Sequence, residues 1–173
     1  MSTPERPHGT TMRGNPLTLL GPARQPGERL PDFTLVDNGL KPVTAADTAG
    51  AVRIFSVVPS LDTPVCDLQT RRFNEEAGKL GDKVKVLTVS MDLPFAQKRW
   101  CGAAGATHVQ TLSDYQTGSF GLAMGTLIKE LRLESRAIFV VDAGGTIRYV
   151  EYVREVGEHP QYDQALEAAR QLL

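Results

Sequence analysis

Cysteine is scarce in this chain: Cys66 and Cys101 are the only two among 173 residues. That excludes a scaffold stapled by several disulfides. No Cys-x-x-Cys pair occurs, and His8, His108 and His159 are scattered without ligand spacing, so no zinc or other metal site is expected. Long apolar runs are missing too, and none approaches the ~20 residues a membrane span needs. The opening MSTPERPHGTTMRG has no apolar core of the kind a secretory signal carries, which leaves the cytoplasm as the expected compartment. Charge of one sign is also lacking. Lys and Arg total 19 against 20 Asp and Glu, and the formal net charge of −1 argues against nucleic acid or an anionic membrane as main partner. Basic residues cluster no further than the pairs Arg71-Arg72 and Lys98-Arg99, and there is no internal repeat or low-complexity segment.

What is present is a composition ordinary for one globular domain, 41% hydrophobic and 23% charged. Residues 1–14 are polar and proline-bearing and read as a flexible extension, with a single domain over 15–173. Leu17–Leu20 reads as a short strand, and Asp32–Asp37 alternates as a half-buried strand before the Asn38-Gly39 turn. Val52–Val58 is β-branched and almost continuously apolar, as a central parallel strand would be, and Val84–Met91 is a second such strand. Between them, 64–80 has helical spacing, with Val65, Leu68, Phe73, Ala77 and Leu80 expected on the buried face and Gly81 at the close. A short helix is expected from Asp92 to about Gly102, a brief strand at Val109–Leu112, and loop or weak helix over Tyr115–Gly125. Strands at Ala137–Asp142 and Thr146–Val153 form a hairpin, and Gln161–Leu172 an amphipathic helix. Alternating β and α elements with a terminal hairpin imply a three-layer α/β domain with a mixed sheet.

The stretch Pro59-Ser60-Leu61-Asp62-Thr63-Pro64-Val65-Cys66 carries the chemistry. Thr63 suits an N-cap and Pro64 the first helical position, which puts Cys66 at the third. A thiol there faces unpaired backbone N–H groups and the positive end of the helix dipole, which favour its anionic, nucleophilic form. A free cysteine is more often a small buried apolar residue, but cap, proline and preceding strand together favour a reactive Cys66.

Pro59, Thr63 and Cys66 make up Pro-x-x-x-Thr-x-x-Cys, which resembles the active-site signature of the peroxiredoxins. The longer PSLDTPVCDLQTRRFN resembles their atypical two-cysteine branch, the bacterial thiol peroxidases. The segment Ser90–Cys101 is similar to that branch's second-cysteine region, and the likeness runs from about Met12 to the C-terminus. The resemblance implies a thioredoxin-like fold with a mixed central sheet flanked by helices and an N-terminal β-hairpin. It implies reduction of hydrogen peroxide and organic hydroperoxides without haem, flavin or metal cofactor, electrons from thioredoxin, and a homodimer. Cys66 is then the catalytic thiol, the Thr63 hydroxyl turns toward thiolate or peroxide, and Pro59 shields the turn from water. Arg136, at the start of an apolar strand, supplies the cation; position alone does not separate it from Arg132. Attack on peroxide would leave Cys66 as a sulfenic acid, and Cys101, 35 positions on, is the thiol available to condense with it. The two cysteines belong to different helices, so a bond between them implies local unwinding, with Gly102 and Gly105 easing it. Two other readings stand beside this one. A disulfide oxidoreductase would need adjacent cysteines, and the first such position holds Thr63; a peroxide sensor would be oxidised without consuming peroxide catalytically.

Overall fold

A strand buried on both faces must find backbone partners on both edges, because an unpaired N–H or C=O in a core costs as much as a lost hydrogen bond. The apolar stretch at 52–58 meets that demand in the computed structural model, which describes residues 2–173. In chain order the elements are β1 (Glu5–Met12), β2 (Asn15–Leu20), β3 (Thr34–Val36), β4 (Pro42–Thr44), β5 (Val52–Val57), α1 (Pro64–Leu80), β6 (Val84–Ser90), α2 (Pro94–Ala104), β7 (Val109–Ser113), α3 (Ser119–Met124), β8 (Leu127–Ile128), β9 (Ala137–Val141), β10 (Ile147–Tyr152) and α4 (Tyr162–Arg170). The main sheet has the order β10-β9-β5-β6-β7-β3-β4. β5 pairs in parallel with β6 and antiparallel with β9, and β6 is parallel to β7. The sheet is therefore mixed, as expected, and β5 lies inside it with Cys66 just beyond its end.

Alternation along the strands sends side chains to two cores. Phe55, Phe139 and Leu87 face Phe33, Phe120 and Met124 on the α3 side. Ile54, Ile138 and Val86 face Phe73 of α1 and Ala165, Leu166 and Ala169 of α4 on the other. The hairpin of β9 and β10 and the inward face of α4 match their sequence readings.

Three expectations are corrected. The stretch 1–14 was expected to be a flexible extension, yet residues 5–12 form β1, which pairs with β2; β2 in turn pairs with β8 in a second small sheet. The expected N-terminal hairpin thus begins inside that stretch. Nothing in its polar composition shows why, because β1 is also held from outside by the 154–156 segment: Thr11 N–H donates to Arg154 O at 2.9 Å, and Thr11 O accepts from Val156 N–H at 2.9 Å. Second, Leu68 is 54% exposed. The buried face of α1 includes Phe73 and Ala77 as read, but it continues through Cys66, Gln69, Thr70 and Glu76. This is a regular i, i+3, i+4, i+7 stripe in which Gln69 and Thr70 bond internally, so hydrophobicity alone misplaces it. Third, α2 begins after Asp92 and continues past Gly102 to Ala104, where Gly105 at φ +64° provides the left-handed cap. The two-residue strand β8 was too short to read from sequence.

One buried pair stabilises the loops that lead into β9. Asp114 accepts from the N–H groups of Phe120 and Gly121 at 3.1 and 2.9 Å, and Thr126 donates to Glu134 Oε2 at 2.5 Å. Gly121 admits this approach, since a Cβ there would stand 2.7 Å from Glu134 Oε1. Burial, and then hydrogen bonding to Asp114, hold Glu134 protonated far above the ordinary carboxyl range; burial raises Asp114 as well. A carboxyl raised in the folded state stabilises the fold below its unfolded pKa and loses that contribution as pH rises through the folded value. Stability is thus expected to decline as pH climbs above about 4. Glu134→Gln, which keeps a neutral hydrogen-bonding group, is expected to flatten that decline. Urea midpoints across pH 4–9 check this, and an unchanged slope in the variant refutes it.

Candidate active site

Thr63 at the head of α1 has extended backbone angles, φ −91° and ψ 148°, which turn its hydroxyl back over the first turn. Its Oγ1 accepts from Cys66 N–H at 3.4 Å and donates to Ser60 O at 3.2 Å. Such a cap is worth about 1 kcal/mol. Pro64 occupies the first helical position, as the sequence suggested. Cys66 is fully buried, with Val58, Leu61 and Trp100 packed around it.

Arg136 reaches the sulfur from just ahead of β9, the strand paired with β5. It is only 2% exposed. Nη2 donates to Cys66 Sγ at 3.2 Å and to Val156 O at 2.7 Å; Nε donates to Val156 O at 3.0 Å, and Nη1 to Gln69 Oε1 at 2.8 Å. None of these acceptors is a carboxylate. A guanidinium remains charged in proteins, so a buried one needs a negative partner. Cys66 is the only side chain among these acceptors able to supply a full charge, and an anionic sulfur there gains a charge-assisted hydrogen bond. Arg132, the other arginine the sequence offered, sits in the loop before β9 at φ +55° and bonds neither cysteine.

A cavity of about 270 Å³ opens beside this group, lined by Pro59, Thr63 and Arg136 together with Met12, Val65 and Val156. Four of the five sequence-selected residues therefore converge: Cys66, Thr63, Arg136 and Pro59. The fifth, Cys101, is held elsewhere. It is half-buried on α2, its Sγ lies 3.4 Å from Thr111 Oγ1, and it borders a separate cavity of about 300 Å³ lined by Asn38 and Thr111. Both cysteines are free thiols.

Sequence reasoning missed Gln69. Its Nε2 donates to Ser56 Oγ on β5 at 2.8 Å, which fixes the amide so that Oε1 faces Arg136. A signal existed, because Gln69 lies one turn after Cys66 on the same face. The Val156 carbonyl had no such signal, being a backbone atom of a distant loop. Among the described residues, no group of three His, Cys, Asp or Glu side chains is placed to hold a metal ion. Nor, among those residues, is any helix long and apolar enough to cross a membrane.

A buried thiol at a helix N-terminus, bonded to a fixed guanidinium that itself lines a small cavity, is the equipment of an enzyme with a cysteine nucleophile. Comparison with known proteins narrows that class. Residues 25–166 match the family model described as Redoxin. The chain is 56% identical to the thiol peroxidase of Halalkalibacterium halodurans over 94% of its length and 98% of the relative's, and 55% identical to that of Bacillus subtilis over 94% and 97%. Among solved structures it is similar to a peroxiredoxin-like protein from Aquifex aeolicus, with a TM-score of 0.89 at 35% identity and all of both chains covered. A thiol peroxidase from Chromobacterium violaceum, at 20% identity over 94% of this chain and 95% of that one, shares the fold with a TM-score of 0.84. The chain belongs to the redoxin family, among the thiol peroxidases of the peroxiredoxin type.

If Arg136 stabilises negative charge on the sulfur, Arg136→Ala is expected to slow alkylation of Cys66 by iodoacetamide near neutral pH by about tenfold or more, the scale of one charge-assisted bond. Arg132→Ala serves as control and is expected to leave that rate unchanged. Alkylation followed by mass spectrometry distinguishes the two.

Proposed function

We propose that this peroxidase reduces hydrogen peroxide and small organic hydroperoxides through Cys66, with Cys101 as the resolving thiol of the same chain and thioredoxin as reductant. The observation that carries the proposal is the 3.2 Å contact between the buried Arg136 guanidinium and Cys66 Sγ at the capped N-terminus of α1. A peroxide entering the cavity presents one oxygen to the thiolate. The S–O bond forms as the O–O bond breaks, and the departing alkoxide or hydroxide takes a proton and leaves as alcohol or water. The second N–H of Arg136 Nη1, and the Thr63 hydroxyl once it turns from Ser60 O, are the donors that would bind the oxygens as charge develops on them. Pro59, with no N–H and a fixed ring, keeps water from the turn. The cavity volume suits small peroxides.

Cys66 is then a sulfenic acid. Cys101 attacks its sulfur, the S–S bond forms, the S–O bond breaks and water leaves. A dithiol partner such as thioredoxin restores both thiols and becomes a disulfide itself. Separate bonding partners for Cys66 and Cys101 support a step of local rearrangement, since a disulfide requires Cα atoms within ~7 Å. A homodimer in the cytoplasm completes the proposal and rests on the family likeness alone.

Peroxide consumption coupled to thioredoxin, thioredoxin reductase and NADPH tests the reading. Cys66→Ser is expected to abolish turnover with the fold intact, and substantial residual turnover sinks the mechanism. Cys101→Ser is expected to consume one equivalent of peroxide and stall as sulfenic acid. Oxidised wild type should run as a monomer without free thiols on a non-reducing denaturing gel; a disulfide-linked dimer as main product overturns the intramolecular step.

A further inference from the structure

We propose that Trp100 gates the resolving step: it fills the place that Cys101 must take beside Cys66, and a hydrogen bond to Asp67 latches it there. The proposal deepens the reading of Cys101 as resolving thiol and rests on it. α2 turns Trp100, not Cys101, toward the catalytic sulfur. The indole packs with Val58 and Leu61 against Cys66, while Cys101 Sγ faces Thr111 on β7. Neighbouring residues of a helix point about 100° apart. An intact α2 therefore cannot bring Cys101 in without taking Trp100 out.

The latch is built from the neighbours of both thiols. Asp67 follows Cys66, and Trp100 precedes Cys101. Trp100 Nε1 donates to Asp67 Oδ1 at 2.8 Å, and Arg71 Nε donates to Asp67 Oδ2 at 2.8 Å. The Arg71 guanidinium lies over the indole, 5.6 Å from the ring centroid, and closes the group. The Asp67 and Arg71 side chains are 31% and 50% exposed, so solvent screens the group and it can open during turnover. While it stays shut, the sulfenic acid on Cys66 remains exposed to a second peroxide, which would add oxygen and give a sulfinic acid. Latch opening thus sets the division between disulfide and overoxidised enzyme.

The test is rapid-quench alkylation and mass spectrometry on the full chain, oxidised without reductant. Trp100→Phe keeps an aromatic plug and removes the donor. It is expected to speed disulfide formation about three- to tenfold relative to oxidation of Cys66 and lower the sulfinic fraction in proportion. Arg71→Ala, an exposed site, is expected to shift both readouts in the same direction by less. Adding Asp67→Ala to Trp100→Phe should give no further acceleration, because the shared bond is already gone. Trp100 is the only tryptophan, and its emission in wild type is expected to shift red together with disulfide formation. Disulfide formation at wild-type rate or slower in Trp100→Phe, additive effects in the double variant, or a disulfide that forms with no emission shift each overturn the latch alone. Wild type that forms no Cys66–Cys101 bond overturns the latch together with the resolving role of Cys101.

Discussion

The buried guanidinium of Arg136 is the constraint on which the site depends. A permanent cation at 2% exposure must have its N–H groups bonded and its charge met, or the fold bears several kcal/mol of desolvation. Each solution in this protein draws in another element. Gln69 on α1 takes Nη1 and is aimed by Ser56 on β5. The Val156 carbonyl takes Nε and Nη2, and the 154–156 segment is held in place by Thr11 of β1. The remaining direction points at Cys66. The N-terminal strand, the central sheet and the first helix thus converge on a single sulfur, although they come from opposite ends of the chain.

The same accounting explains why the two thiols are held apart. Cys66 lies in a closed apolar cluster beneath a cation, whereas Cys101 is half-buried against a threonine hydroxyl. Each environment suits one stage of the proposed chemistry: an anion that meets peroxide, and a thiol kept away until that reaction is over. Surface interactions of modest strength, such as those among Asp67, Arg71 and Trp100, are better suited to joining the two stages than a deeply buried pair. A buried pair is costly to break, while a screened one opens readily.

Much of this was legible in the residues because it depends on local geometry. Thr63 and Pro64 have the preferences of a cap and a first helical residue, and the strand before them ends where its apolar run ends. Helix α1 runs over 64–80 as read, and the mixed sheet follows from alternating elements and a terminal hairpin. The likeness to peroxiredoxins separated Arg136 from Arg132, which position alone did not. Failures occurred where long-range partners overrode composition. Residues 5–12 are polar yet form a strand because β2 on one edge and the 154–156 segment beside them take up their backbone groups. Leu68 is apolar yet exposed, because polar Gln69 and Thr70 find partners inside.

The sequence by itself therefore determined most of the central elements and the capped thiol, since caps, periodicity and turn residues act over a few positions, and its likeness to the peroxiredoxins carried the chemical class. Only the tertiary structure decided what surrounds that thiol: a cation from 70 residues downstream, an amide that orients it, a carbonyl from the last loop, and a tryptophan set between the two cysteines. Those contacts join distant parts of the chain. Their geometry is set by how the sheet and helices pack, which no local pattern of residues specifies.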